Sequence, residues 1–294
     1  MSRFKPALTP ALALVALLVL AWPAGPASAQ PPQRLLGFAR HLAETGEPDR
    51  AVTEFRRFLF LYPDHPEAPQ AGLDLAQAYL SLGQADKAVS QLGQTDLVPG
   101  GRLKGRALIL LARAQALQGK FDQAQKLLGQ VAANSEFPAQ VRDRAQYDLG
   151  WLYLNQSRFK EAEGVFSQIG PASPLGLRAA FLAKEAGLGD KLEKKSALWA
   201  GILSGLLPGL GQLYVGRKSD AAWAFSLSLG PGALSWLALS AGSWVSGGLT
   251  AAVALAFYGG NIYNAVNLAH RFNRSAADRF RARLKNQAQA LPRD

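Results

Sequence analysis

The chain has 294 residues, no cysteine, three histidines and a formal net charge of +11, with a sequence pI near 10.0. The absence of cysteine excludes a disulfide framework and a lipid-modified cysteine. A mean hydropathy of +0.01 averages a polar half with a very apolar one, so the composition is informative only region by region.

At the N-terminus, Arg3 and Lys5 precede an apolar stretch from Ala7 to Trp22, followed by Pro23, Gly25, Pro26 and Ala27-Ser28-Ala29. A positive start, an apolar middle and a small-residue cleavage site predict a signal peptide over residues 1–29, with cleavage after Ala29. An uncleaved anchor is the alternative, and it exports the following domain equally.

Residues 30–189 carry a repeat. Gly46, Gly83, Gly119 and Ser157 recur at intervals of 37, 36 and 38 residues. Ala51, Ala88, Ala124 and Ala162 follow five residues later, and Phe55, Leu92, Leu128 and Phe166 four residues beyond those. Seven and eight residues before each turn stand Phe38-Ala39, Leu75-Ala76, Leu111-Ala112 and Leu149-Gly150. The pattern predicts two amphipathic helices per repeat, joined by a turn that needs a left-handed residue. The expected repeats cover about 32–65, 69–102, 105–138 and 143–176, closed by a cap helix at 177–188 over the exposed apolar edge.

The segment Leu149-Gly150-Trp151-Leu152-Tyr153 with Phe159, Ala162 and Phe166 resembles the tetratricopeptide repeat. So do Tyr79 to Ala88 and the close of the first repeat, Phe55 to Pro63. The slightly long period is similar to the looser repeats of periplasmic TolA-binding and outer-membrane assembly proteins. Repeat two departs from the pattern at Pro99-Gly100-Gly101, and repeat three lacks the aromatic at Gln115. The resemblance implies a helical-hairpin solenoid in which the first helix of each pair lines a partner-binding groove. Alignment on the turns puts Gln33, Arg40, Gln70, Gln77, Arg106, Arg113, Arg144, Tyr147, Trp151 and Asn155 on that surface. Its arginines suit a carboxylate or an acidic segment; a solvated helix face is the simpler alternative.

Beyond Lys195 the chemistry changes. Ser196 to Gly216 and Ala221 to Ala269 contain no charged residue, and about 20 apolar helical residues cross a bilayer core of roughly 30 Å. The expected fold class is therefore all-α: a solenoid followed by a membrane module, residues 190–269, of about three transmembrane helices near 197–215, 221–242 and 248–268. Gly201, Gly205 and Gly209 form a small-residue face suited to close helix approach and to homo-oligomerisation. The run Leu207-Pro208-Gly209-Leu210-Gly211-Gln212-Leu213-Tyr214-Val215-Gly216 resembles the Pro-Gly-x-Gly-Gln-x-Tyr-x-Gly motif of small bacterial membrane modules. Asn261, Tyr263, Asn264 and Asn267 resemble their closing helix, an architecture that implies almost no activity. A Pro/Gly break at membrane depth needs polar partners, and Gln212 and the asparagines are the candidates.

Seven basic residues against two acidic ones make 270–294 a basic tail. Adjacent to a span, this charge points to positive-inside bias and anionic lipid rather than nucleic acid. Three spans place the repeats in the periplasm and the tail in the cytoplasm. His41, His65 and His270 lie in different elements, and no metal-ligand spacing, nucleophile motif or phosphate loop is present. The sequence thus predicts a non-enzymatic scaffold of the cell envelope, anchored in the bacterial inner membrane, without cofactor or metal, that recruits a protein or peptide partner. A small transport or lipid-handling unit regulated by the repeats is the alternative.

Overall fold

The computed structural model describes residues 31–93 and 100–292; the signal-peptide reading over 1–29 lies outside the described residues. Among these the chain is all-helical, with no strand. It divides into two compact units, residues 1–99 and 100–294.

The first unit contains α1 (Pro32–Glu44), α2 (Pro48–Leu61), α3 (Ala68–Ser81) and α4 (Ala85–Leu92). A proline stands in the first turn of α1, α2 and α3, where its missing N–H would have no helical partner anyway. Gly46 and Gly83 end the first helix of each pair with φ of +85° and +70°, a left-handed geometry that costs glycine nothing sterically. The small residues Ala39, Ala51, Ala76 and Ala88 are fully buried, and Phe55, Phe58 and Leu92 fill the space beside them. Each large side chain so enclosed contributes about 1.5–3 kcal/mol of transfer free energy. Phe38 does not join them; it is 46% exposed.

The second unit repeats the plan with α5 (Gly101–Leu117), α6 (Phe121–Ala133), α7 (Ala139–Asn155) and α8 (Phe159–Phe166). Ala112, Ala124, Ala162 and Phe166 are fully buried. A side-chain carbon on Gly150 would lie 2.5 Å from the Phe166 ring, so this position accepts only glycine. Helix α9 (Gly176–Ala186) and a 3₁₀ turn at Gly189–Lys191 close over α8.

Four helices follow: α10 (Ala197–Leu206), α11 (Leu210–Tyr214), α12 (Lys218–Ser240) and α13 (Trp244–Ala290). Helices α12 and α13 are long and apolar enough to cross a membrane, and their most apolar stretches are only 11% buried. At about 1.5 Å per residue, the 23 residues of α12 reach roughly 35 Å. The expected first span, 197–215, is not one helix. After Pro208 the chain takes a left-handed turn at Gly209, φ +95°, and folds back. Gly211 rests against the Ala200 carbonyl and Ser204, and the Ser196 N–H donates to Tyr214 Oη at 3.1 Å. Both ends of the α10–α11 hairpin therefore lie together. The physical reason is that proline ends α10 while glycine at 209 and 211 permits reversal and close return.

The basic tail is part of the last helix. It continues α13 without a break and packs on the repeats: Phe280, Leu284 and Ala288 belong to the core that contains Leu154, Phe159 and Leu182. The Phe280 and Phe159 rings meet edge to face at 5.4 Å. Arg281 Nη1 donates to the carbonyls of Leu154 at 3.4 Å and Asn155 at 3.1 Å, capping α7, and Arg283 pairs with Glu185 at 3.7 Å. The last repeat is capped by α9 and by the tail together.

Candidate functional site

In the first unit, Arg40 of α1 reaches two carboxylates. Its Nε donates to Asp74 Oδ2 at 3.1 Å, and its Nη2 pairs with Glu67 at 2.9 Å. Gln70 donates to the other Asp74 oxygen at 3.0 Å. Burial lowers the arginine's pKa, but the bonds to Asp74 and Glu67 more than offset this and hold it above its ordinary value. Gln33 is exposed on α1, and Gln77 is half-buried on α3.

In the second unit the same rung recurs with a different completion. Arg113 Nε donates to Asp148 Oδ2 at 2.6 Å, and Arg144 approaches the other oxygen of Asp148 at 3.4 Å. Arg144 also lies over the Tyr147 ring, 5.7 Å from its centre. Tyr147 and Trp151 lean on Phe166 at 5.7 and 6.5 Å, so their rings join the repeat core while one edge stays accessible. Arg106 is half-buried on α5. Asn155 keeps an exposed side chain, but the tail occupies its carbonyl.

Three participants escaped the sequence reading: Asp74, Asp148 and Arg178. The signal for the first two was a spacing, an arginine of one repeat bonding an aspartate 34 or 35 residues later. Arg178 stands on the capping helix α9, outside the counted repeats, and its Nη2 donates to the Leu291 carbonyl at 2.9 Å.

The motif residues of the apolar module meet in a buried polar network. Ser204 Oγ donates to Gln212 Oε1 at 2.9 Å. Gln212 Nε2 donates to Asn261 Oδ1 at 2.9 Å and to its carbonyl at 3.1 Å. Asn261 Nδ2 donates to the Ser204 carbonyl at 3.0 Å. The backbone N–H groups freed by the Pro208 break are recovered too: Gly209 donates to Asn261 Oδ1 at 3.2 Å, and Gly211 to Ser204 Oγ at 3.1 Å. Tyr258 Oη donates to the Gly205 carbonyl. At the end nearest the repeats, Lys195 exchanges two backbone bonds with the Asn273 amide, at 2.7 and 2.9 Å, and its ammonium lies over the Tyr214 and Phe272 rings. Pro208 is buried and Gly216 turns with φ +84°. Tyr263 is 71% exposed and Asn264 and Asn267 lie outside the network. The half-buried Gly201 and Gly205 face α13: a side-chain carbon there would lie 3.0 Å from Val266 or 3.7 Å from Ile262.

Among the described residues no group of three His, Cys, Asp or Glu is placed to hold a metal ion. The chemistry on offer is recognition by charge-assisted hydrogen bonds along the first helices of stacked helical hairpins, the class of a helical repeat scaffold. The family model for the tetratricopeptide repeat matches residues 36–101 and 109–175, so the chain carries tetratricopeptide repeats. No catalytic family is indicated. Among curated proteins none matches. Among solved structures, a protein of Podosopora anserina described as a kinesin light chain with nearly identical TPR-like repeats is 23% identical, with a TM-score of 0.44; the match covers 54% of this chain and 88% of that one. A second structure of the same description, also 23% identical, has a TM-score of 0.41 and covers 54% and 89%.

Proposed function

We propose that the chain is a membrane-anchored tetratricopeptide scaffold that binds a protein partner through the first-helix faces of its repeats, on the exported side of a bacterial inner membrane. The observation that carries this reading is the run of arginine, glutamine and aspartate side chains on those faces, built on repeats matched by the family model. Repeats of this kind are protein-recognition modules, and stacked helix pairs offer extended surfaces rather than catalytic pockets. In-cell photo-cross-linking tests it. A photoreactive residue at Gln77 or Arg106 should trap a discrete protein, whereas one at the exposed Lys160 on α8 should not. Equal trapping from all three positions, or none, would sink the reading.

The anchor comprises two spans, α12 and α13, with the α10–α11 hairpin entering and leaving at the end that carries the repeats. What supports this is the charge-free run, the outward apolar surface of both helices and the shared position of Ser196 and Tyr214. A dry helix pair must satisfy its backbone internally, and the Ser204–Gln212–Asn261 network does so at the break. Because those side chains bond one another, the reading of this module as a transport or lipid-handling unit loses the polar path that motivated it. The export signal expected at residues 1–29 puts the repeats outside, and the tail, sharing their core, lies outside with them against the positive-inside bias of its seven basic residues. Reporter fusions after Glu193, Ser219, Ser246 and Asp294 should read outside, outside, inside, outside. The full inverse would remove export and keep the shared face; opposite readings at Glu193 and Asp294 would remove the two-span anchor.

A further inference from the structure

We propose that the anchor carries a seat for one anionic phospholipid, in the groove between α12 and α13 at the end nearest the repeats. This rests on the two-span reading. The facing sides of the two helices enclose a cavity of about 300 Å³, lined by Asp220, Ala224 and Ser228 of α12 and by Phe257, Gly260 and Asn264 of α13. That volume is at the lower end of ligand sites. Eight residues separate Asp220 from Ser228, so the groove runs roughly 12 Å along the helices. Asp220 and Asn264 stand at its outer end. Further in, the surface is that of Leu227, Ala256 and Phe257, and the Ser228 hydroxyl is buried and offers no exposed polar atom. Asn261 backs the groove, held by Gln212 at 2.9 Å, so the network that mends the Pro208 break also fixes this wall.

The occupant follows from the surroundings. No protein atom lies within 4 Å of the carbon that a side chain would add at Gly260. Glycine inside a helix is costly, and no close approach within the chain explains this one. The outer surfaces of both helices are apolar, so the groove opens onto acyl chains. Empty apolar volume forfeits dispersion contacts, which a chain lying along Gly260 and Phe257 regains. Charge then selects the headgroup. Arg217 donates to Asp220 at 2.9 Å, which sets a guanidinium at the mouth and answers the carboxylate there. On α13, Arg271 stands seven residues past Asn264, two turns further out on the same face, at the level of a headgroup whose chains begin at Asn264. Arg271 and Lys218 are exposed and have no ion-pair partner among the described residues. Arginines on the two walls suit a phosphate, and the surplus positive charge favours a net anionic lipid over a zwitterionic one. The exposed Trp223 indole lies at the rim, where the membrane boundary holds such rings.

Native mass spectrometry of the full chain in detergent, given equal amounts of dioleoyl phosphatidylglycerol, phosphatidylethanolamine and phosphatidylcholine, reads the seat. One phosphatidylglycerol should be retained, by at least about fivefold over either zwitterionic lipid. Arg217→Gln and Arg271→Gln should each lower that retention about fivefold, whereas Lys160→Gln on α8 should not. Gly260→Leu fills the groove and should abolish retention, and Gly260→Ala should weaken it less. Gly232→Leu places the same side chain at another open glycine of α12, outside the lining, and should leave retention unchanged, which separates blocking from misfolding. Equal retention of the three lipids, or full retention by Gly260→Leu, would overturn the proposal. So would displacement of the lipid by glycerol 3-phosphate at equal concentration, because the acyl groove would then contribute nothing. A chain that floats with vesicles of phosphatidylcholine alone yet retains no phosphatidylglycerol would end the lipid seat and leave the anchor; a chain that does not float would end both.

Discussion

The two units build the same arginine–aspartate rung and finish it differently. Arg40 is held by Asp74 and Glu67, with Gln70 on the far oxygen of Asp74. Arg113 and Arg144 divide a single aspartate, Asp148, with Arg178 close enough for its charge to be felt. The first rung sets one arginine between two carboxylates and cross-ties two successive first helices; the second sets two arginines on one carboxylate. Equivalent positions in a repeat thus carry different charge balances, and composition alone does not tell the two apart.

The largest expected contrast between the units comes from the tail, which only the second unit uses as a cap. Leu284 is fully buried, so Leu284→Asp places an unpaired charge in that core and should cost at least about 3 kcal/mol. Phe280→Ala is the milder probe, at about 3 kcal/mol from lost burial and the cavity left behind. Hydrogen exchange should show amides of α5 to α9 losing protection while those of α1 to α4 keep theirs. Loss spread evenly over both units would mean that the cap stabilises the whole array and that the units are not separate in stability.

A smaller contrast tests the rungs themselves. Arg40→Ala removes the charged partner of Asp74, whose side chain is 14% exposed, and losing that charge-assisted bond costs about 1–3 kcal/mol even with the Gln70 bond to the other oxygen kept. Arg144→Ala leaves Asp148 bonded to Arg113 and removes a crowded charge, so solvent-screened losses of at most about 0.5 kcal/mol are expected. Urea unfolding followed by exchange in each unit measures both. A larger loss at Arg144 than at Arg40 would make the second rung the stronger tie.

The repeat period was legible because turns and small residues are short-range features: Gly46, Gly83, Gly119 and Ser157 all take positive φ, and the alanines aligned on them are buried. The rungs were not, because Asp74 and Asp148 lie one repeat away from their arginines and read as solvated carboxylates within their own helices. Composition hid the packing of the tail. Seven basic residues outweighed Ala277, Phe280, Leu284 and Ala288, whose spacing of three or four marks an amphipathic face. At Pro208 the break was visible, but its direction was not. Whether the chain continues or reverses depends on the backbone at Gly209, where a side-chain carbon would lie 2.5 Å from the Ala221 carbonyl.

The smallest effect is the most local. Ser157 is, among the described residues, the non-glycine with positive φ, at 58°, while its equivalents Gly46, Gly83 and Gly119 adopt φ of 85°, 70° and 77°. A left-handed L-residue costs roughly 1 kcal/mol, which Ser157→Gly would recover less the extra freedom of glycine in the unfolded chain. The serine hydroxyl also accepts from Arg281 Nη1 at 3.2 Å, an exposed bond worth about 0.5 kcal/mol at most. The substitution should therefore stabilise the second unit by at most about 0.5 kcal/mol, and by more in an Arg281→Ala background where no bond is lost. Gly83→Ser in the first unit should destabilise by about 1 kcal/mol. If Ser157→Gly instead weakens the second unit, the Arg281 contact outweighs the backbone strain, and the serine stands at this turn because the tail docks on it.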